Sequence, residues 1–189
     1  GNTIIKGQSS NTRLDTYAEK WGEALAAQGL IGKTWIGVMD HNGKTDNTGL
    51  TTTGRLTLIF APCTTNFANP VEIMYYWHGI KGFSYTTTST TFNDFNERMA
   101  PQSKSMSQLG RNFVLIFPEM PWSGGDRNMY SSRNTGSRST AVWSGDDGLV
   151  SMHNEALGYI RSNMGTPSVS LVSIVGHSKG GHPLKIAAD

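Results

Sequence analysis

The sequence predicts an α/β protein: a three-layer α/β/α sandwich built on a mostly parallel sheet with an antiparallel N-terminal hairpin. Two observations lead to this prediction. Short apolar segments alternate with segments of helical periodicity, as in parallel sheets whose strands are joined by crossover helices. The first two apolar segments are separated by a turn-rich stretch containing Asn42-Gly43, which favours an antiparallel hairpin. A chain of 189 residues is long enough for one such domain.

The first half of the chain is predicted to hold one helix and three strands. Leu14, Trp21 and Leu25 recur at helical spacing, which predicts a helix over residues 15–29. The first ten residues are expected to be a loose lead-in. The predicted strands cover residues 34–40, 55–61 and 72–77. The third of them is almost continuously apolar, as expected for a strand that is covered on both faces.

The second half is predicted to alternate helices, strands and one long loop. The helices are placed at residues 92–106 and 146–164, and the strands, both expected to be buried, at 113–117 and 168–175. Pro101 is expected to interrupt the first of these helices, because proline lacks the N–H that a helix interior needs. Residues 121–145 show no periodicity and are rich in Gly and Ser, and a loop of that length often carries function.

One motif carries the chemistry. Gly176-His177-Ser178-Lys179-Gly180 fits the pattern G-x-S-x-G directly after an apolar strand and before a predicted helix. A sharp turn from strand to helix is the context that a nucleophile elbow requires, because it lifts the serine hydroxyl above the sheet. The alternative interpretation is a glycine-rich turn that binds phosphate or only closes a strand–helix unit.

A second signal lies at the end of the strand 72–77, which runs into His78-Gly79-Ile80. With this loop, the order of elements over residues 34–189 resembles the first part of the α/β-hydrolase superfamily, of the serine esterase and lipase type. The resemblance implies that Ser178 is the nucleophile. It also implies that the backbone N–H groups of Lys179 and Ile80 are the donors of the oxyanion hole.

The resemblance gives the histidines near this motif structural roles. It implies that His78 supports its loop and that His177 packs beneath the elbow. Of the remaining histidines, His41 is interpreted as a turn residue and His153 as a residue on the surface of its helix or partly buried there.

The acid and histidine of the family's triad have no counterpart, because they follow the serine along the chain at the ends of later strands. His182 and Asp189 both lie on the predicted helix that leaves the elbow. We therefore expect a chain truncated after the elbow, with residues 1–33 as lead-in and helix and 34–189 as an incomplete hydrolase-like domain. Completion by a second polypeptide and a natural minimal protein without a triad are the alternatives. Unless a second polypeptide completes it, we expect little or no hydrolase activity.

The resemblance implies an ester substrate, either a small molecule or a polymer, that forms an acyl-enzyme. Trp122, Tyr130 and Trp143 lie in the long loop and could line the mouth of the site, or they could only anchor that loop. The competing function is a non-catalytic binding module that keeps the hydrolase scaffold as an interaction surface. A nucleotide or phosphate binder is disfavoured, because the pattern G-x-x-x-x-G-K-[ST] is missing.

Composition excludes several other classes. A formal net charge of +2 argues against a nucleic-acid-binding surface, and the apolar runs are far too short to span a membrane. A single cysteine, Cys63, excludes an internal disulfide and a cysteine-rich zinc site, and we expect neither a metal nor a cofactor. The hydroxyl-rich composition is compatible with an extracellular or viral origin and does not fix the compartment. If the sheet ends at the last strand, its open edge is predicted to mediate homodimerisation or contact with a partner.

Overall fold

The computed structural model of the protein describes residues 1–7, 12–39, 55–79, 94–118, 148–181 and 184. Within them, the strands are β1 (Thr3–Lys6), β2 (Gly32–Met39), β3 (Arg55–Pro62), β4 (Val71–Trp77), β5 (Phe113–Pro118) and β6 (Val169–Gly176). The helices are α1 (Thr12–Gln28), α2 (Ala100–Gln108) and α3 (Gly148–Asn163). A π-helical segment, Asp94–Met99, leads directly into α2, and a short 3₁₀ turn, Ser178–Gly180, follows β6.

The described strands form one sheet in the order β1-β2-β3-β5-β4-β6. Only β3 runs against its neighbours β2 and β5, whereas the remaining neighbours are parallel. The predicted α/β class, the mostly parallel sheet and the antiparallel hairpin are confirmed. The hairpin is not the edge of the sheet, however, because β1 pairs with the outer side of β2.

The expected loose lead-in at the start of the chain is wrong. Ile4 and Ile5 point to opposite faces of the sheet, and each packs as a partly buried side chain against a different half of the core. Their burial makes a strand of four residues stable enough to form, although it is too short for its alternation to be recognised from the sequence.

Helices cover both faces of the sheet, which confirms the three-layer architecture. On one face, Trp21 of α1 packs edge-on against Phe60 of β3 and Phe95 of the π-helical segment, with both pairs of ring centroids 5.4 Å apart. On the other face, Tyr159 of α3 stacks on Trp35 of β2 at 4.0 Å. Burying each such side chain contributes about 1.5–3 kcal/mol, so both layers are held by apolar contact with the sheet.

The sequence predicted that Pro101 interrupts a helix. Pro101 instead belongs to the first turn of α2. Its fixed φ suits the helical backbone, and its missing N–H falls where the chain changes from the π-helical segment to α2. The chain therefore enters α2 from the π-helical segment, a geometry that is rare and that occurs often at functional sites.

Strand β6 was predicted to be buried, and this is wrong. Leu171 is 51% exposed and Val172 is 41% exposed. Because adjacent residues of a strand point to opposite faces of the sheet, β6 is exposed on both faces. The physical reason is its position: β6 pairs with β4 on one side and is the last strand of the sheet that the described residues form. Apolar composition alone does not show whether a strand is central or at an edge.

No helix within the described ranges combines the length and the apolar character needed to cross a lipid bilayer.

Candidate active site

The order of the strands reverses between β4 and β6. The chain passes from β4 to β5 on one side and returns past β4 to reach β6 on the other. The first of these connections contains α2 and the second contains α3, and the two helices pack on opposite faces of the sheet. Open α/β sheets bind their ligands at the carboxyl ends of strands where the order reverses in this way. Both sequence signals, His78-Gly79 and the G-x-S-x-G motif, lie at this point.

Ser178 occupies a strained backbone position directly after β6. Its φ is 55°, and no other residue except glycine has a positive φ in the part of the chain that the structure describes. Such a conformation costs a residue with a Cβ of the order of 1–3 kcal/mol and is maintained only when the surrounding structure enforces it. Ser178 is exposed and is the first residue of the 3₁₀ turn that follows β6.

The two glycines of the motif permit this turn because side chains would not fit there. A Cβ on Gly180 would overlap the carbonyl oxygen of Trp77, at the end of β4. A Cβ on Gly176 would lie 2.5 Å from the carbonyl oxygen of Gly180 and 2.6 Å from Leu184. The backbones of β4, β6 and the 3₁₀ turn are therefore in direct contact, which holds the elbow against its neighbouring strand.

The His-Gly turn and the elbow lie side by side. Gly79 has no side chain, and a Cβ placed on it would lie 3.1 Å from the Cβ of Ser178 and 3.3 Å from Nδ1 of His177. In addition, the His177 N–H donates a hydrogen bond of 2.9 Å to the Trp77 carbonyl. The two predicted turns therefore meet at one end of the sheet.

The backbone of Lys179 lies in the 3₁₀ turn next to Ser178. Its N–H stays the predicted first oxyanion donor. The second predicted donor, Ile80, lies outside the described residues, as do Trp122, Tyr130 and Trp143. Their roles stay predictions.

His78 is fully buried beneath the site, and its geometry is that of a supporting residue. Its Nδ1 donates to the carbonyl of Gly79 at 2.5 Å, and its ring packs edge-on against Phe117 at 5.6 Å. His177 differs from the expectation, since it is exposed and does not pack beneath the elbow. His177 directly follows β6, and the side chains of β6 are themselves exposed or only partly buried.

A buried carboxylate bonded to β4, that of Asp94, was not singled out from the sequence. It is 2% exposed, and its Oδ1 accepts hydrogen bonds from the Tyr76 hydroxyl at 3.1 Å and from Arg98 at 2.5 Å. Burial raises the pKa of Asp94, while the hydrogen bonds from Arg98 and Tyr76 and the nearby charge of His177 oppose this rise. The spacing of Asp94 and Arg98, four residues apart, is the only sequence signal for this pair.

His153 of α3 lies on the other face of the sheet and is half-buried, within what was expected for it. Its Nδ1 is 2.8 Å from the hydroxyl of Tyr75, a fully buried residue of β4. Burial lowers the pKa of His153, and the charge of Arg161 adds to this effect, so the neutral imidazole is favoured. The Nδ1 of the neutral ring can accept the hydrogen bond that the Tyr75 hydroxyl donates.

No group of three or more His, Cys, Asp or Glu side chains suited to a metal ion occurs among the described residues.

Comparison with known proteins gives one similar structure. No protein-family model matches the chain, and no curated protein matches it. A CE1 ferulic acid esterase from Anaeromyces mucronatus, solved in complex with ferulic acid, is similar with 12% sequence identity and a TM-score of 0.41. The similarity covers 82% of this chain and 51% of that chain, so this protein spans about half of the esterase's length.

Proposed function

We propose that this protein is a serine hydrolase of the α/β-hydrolase class that cleaves an ester, small or polymeric, through an acyl-enzyme on Ser178. The observation that carries the proposal is the positive φ of Ser178, which presents an exposed hydroxyl beside the Gly79 turn. A strained serine between a strand and a helical turn is costly, and a merely structural turn has no use for the strain. The position at the reversal of strand order supports the proposal, because open α/β sheets bind their ligands there.

The proposed reaction begins with attack of the Ser178 oxygen on the ester carbonyl carbon, as the serine proton passes to a base. The negative charge that develops on the carbonyl oxygen would be stabilised by the N–H groups of Lys179 and Ile80. Collapse of this intermediate breaks the ester C–O bond, and the protonated base gives its proton to the departing oxygen, so the alcohol is released and the acyl group stays on Ser178. Water then attacks the acyl carbon, which releases the acid and restores the Ser178 hydroxyl. Loss of one oxyanion donor typically costs about 10²–10³ in rate.

We propose that no base activates Ser178 in this chain alone, so that the chain has little or no turnover by itself. A serine hydroxyl is a weak nucleophile unless a base accepts its proton. The oxyanion donors and the position of the hydroxyl still raise its reactivity above that of an ordinary serine, because part of the acceleration does not depend on the base.

A fluorophosphonate probe tests the proposal, with the modified peptide located by mass spectrometry. Ser170 is the matched control, because it is an exposed serine on the same strand but not in the elbow. We expect slow, incomplete modification of Ser178 that persists in Ser170→Ala and disappears in Ser178→Ala. Equal modification of Ser170 and Ser178 would overturn the proposed site. Rapid stoichiometric modification of Ser178 would support the site and contradict the proposed low activity.

A further inference from the structure

The outer side of β6 is open in the part of the sheet that the structure describes. β6 pairs with β4 on its inner side, and no described strand pairs with its outer side. Leu171, Val172 and Val175 are exposed, and their side chains lie on both faces of the sheet. The described helices therefore do not extend over this edge. An open edge with exposed apolar side chains is a template on which another strand can pair.

The pairing with β4 fixes which residues of β6 turn their backbone groups outward. The N–H of His177 donates to the carbonyl of Trp77, so the backbone of His177 faces β4. The ladder between the two strands is regular from residue 171 onward, and backbone groups alternate from one side of a strand to the other. Val172 and Ile174 therefore present their N–H and C=O groups on the open side.

A second copy of β6 can pair with this edge in antiparallel orientation around a twofold axis, the commonest symmetry of homodimers. Residues opposite each other must then both turn their backbone groups toward the partner strand, or both away from it. Axes at Val172, Ser173 and Ile174 meet this condition and keep most of the strand paired.

One of these axes matches the side chains as well. With the axis at Ser173, Leu171 lies opposite Val175. Val172 then lies opposite Ile174, so apolar side chains meet on both faces of the joined sheet. The other two axes place a serine opposite an apolar side chain.

We infer that β6 is a self-complementary strand that joins two copies of this chain into one continuous sheet, with β6 antiparallel to its copy and the twofold axis at Ser173. Val172 of each copy exchanges backbone hydrogen bonds with Ile174 of the other. The occupant is a second copy because the apolar pattern is the same in both directions from Ser173. The inference does not depend on the proposed function of Ser178.

The polar groups near the axis are already satisfied within one copy. The Ser173 hydroxyl donates to a carboxylate oxygen of Glu72 at 2.8 Å, and the other oxygen of this carboxylate accepts from Arg111. β6 itself contains no charged residue, so like charges do not oppose its pairing with a copy of itself. Pairing along so short a strand buries little area, and we therefore expect association that depends on protein concentration.

Single cysteines locate the axis. The only native cysteine, Cys63, is exposed, so the variants are made in the Cys63→Ser background. A cysteine on the axis lies about 4.5 Å, Cα to Cα, from its copy, which suits a disulfide. A cysteine one residue from the axis lies diagonally, about 7–8 Å from its copy, which is too far for a disulfide without movement of the backbone.

We expect Ser173→Cys to form a covalent dimer under mild oxidation, measured by non-reducing electrophoresis. Val172→Cys and Ile174→Cys are the matched controls on the same strand, and they should crosslink about tenfold less or weaker still at the same concentration. Preferential crosslinking of either control would overturn the axis at Ser173. Equal crosslinking of all three variants would show random collision and would overturn the pairing.

Hydrogen exchange of the unaltered chain, followed by NMR, does not depend on a variant that folds. The amides of Val172 and Ile174 should exchange fast in dilute solution and about tenfold or more slowly at high concentration, because protection follows the dimer fraction. The His177 amide, which bonds to Trp77 within one copy, is the control and should show no such dependence. Protection of Val172 and Ile174 already in the dilute monomer would show that this chain covers its own edge. That result, or fast exchange at both concentrations, would overturn the inference.

Discussion

Gly79 and Ser178 face each other across the carboxyl ends of β4 and β6. They are so close that a Cβ placed on Gly79 would lie 3.1 Å from the Cβ of Ser178. The two residues come from distant parts of the chain, and the parallel pairing of Trp77 with Gly176 brings them together. This contact turns two short sequence motifs into one site.

The strain at Ser178 predicts that Ser178→Gly stabilises the protein. Glycine adopts a φ of 55° at little cost, so the variant should gain about 1 kcal/mol in the free energy of unfolding. Ser178→Ala retains a Cβ and therefore retains the strain, which makes it the control. Urea unfolding of the three proteins measures the difference. A Ser178→Gly variant no more stable than Ser178→Ala would show that the turn is not strained.

The contact between Gly180 and Trp77 predicts a large effect of a single methyl group. Gly180→Ala would place a Cβ on the Trp77 carbonyl oxygen, and overpacking of this kind costs about 1–3 kcal/mol or prevents folding. Gly158 in α3 is the control, because a Cβ there meets no neighbouring atom within 4 Å. Gly158→Ala should gain about 0.5–1 kcal/mol from helix propensity. Thermal unfolding of both variants gives the comparison, and similar shifts would contradict the proposed packing.

How far the sequence predicts this site depends on what each residue contacts. The elbow was recognisable because the motif is contiguous and follows an apolar strand. Asp94 was not, since the burial of a carboxylate follows from packing between the π-helical segment and β4, which no local pattern encodes. The exposure of His177 was missed for a related reason. It depends on β6 being an edge strand, and strand order is a property of the whole sheet.

The hydrogen bond between Tyr75 and His153 predicts a dependence of stability on pH. The pKa of His153 is lowered in the folded protein, so the unfolded chain takes up the proton first as pH falls below 6.5. The free energy of unfolding should therefore decrease as pH falls through that value toward the pKa of the folded state. In His153→Gln, this part of the slope between about pH 8 and pH 5 should be lost.

Tyr75→Phe is the companion variant for this titration. It removes the hydroxyl at a cost of about 1 kcal/mol near neutral pH but keeps the buried imidazole, so most of the slope should remain. Guanidinium unfolding at several pH values distinguishes the variants. An identical slope in the wild type and in His153→Gln would show that His153 does not titrate differently in the two states.

The edge strand β6 leads to a prediction about association. Its exposed apolar residues, Leu171, Val172 and Val175, lie on both faces of a strand that contains no charged residue to discourage pairing. We predict homodimerisation through this edge. Leu171→Lys should weaken it about tenfold or more, because a charge on an edge strand opposes pairing.

Leu109 supplies the control for this association, since it is 77% exposed but lies at the end of α2, outside the sheet. Leu109→Lys should leave the dimer unchanged in sedimentation or light-scattering measurements. A wild-type protein that stays monomeric at high concentration would contradict the prediction.

The pairing of β4 with β6 also bears on how the protein folds. β2 and β3 are successive in the chain and can pair early, whereas β4 must wait for β6, which is synthesised after β5 and α3. Pairing between strands so far apart in sequence is slow, because a long loop must close before any contact forms. The strained serine turn contacts Trp77, so we expect it to form among the last events, and under the proposed function a nascent or partly folded chain would lack the nucleophile.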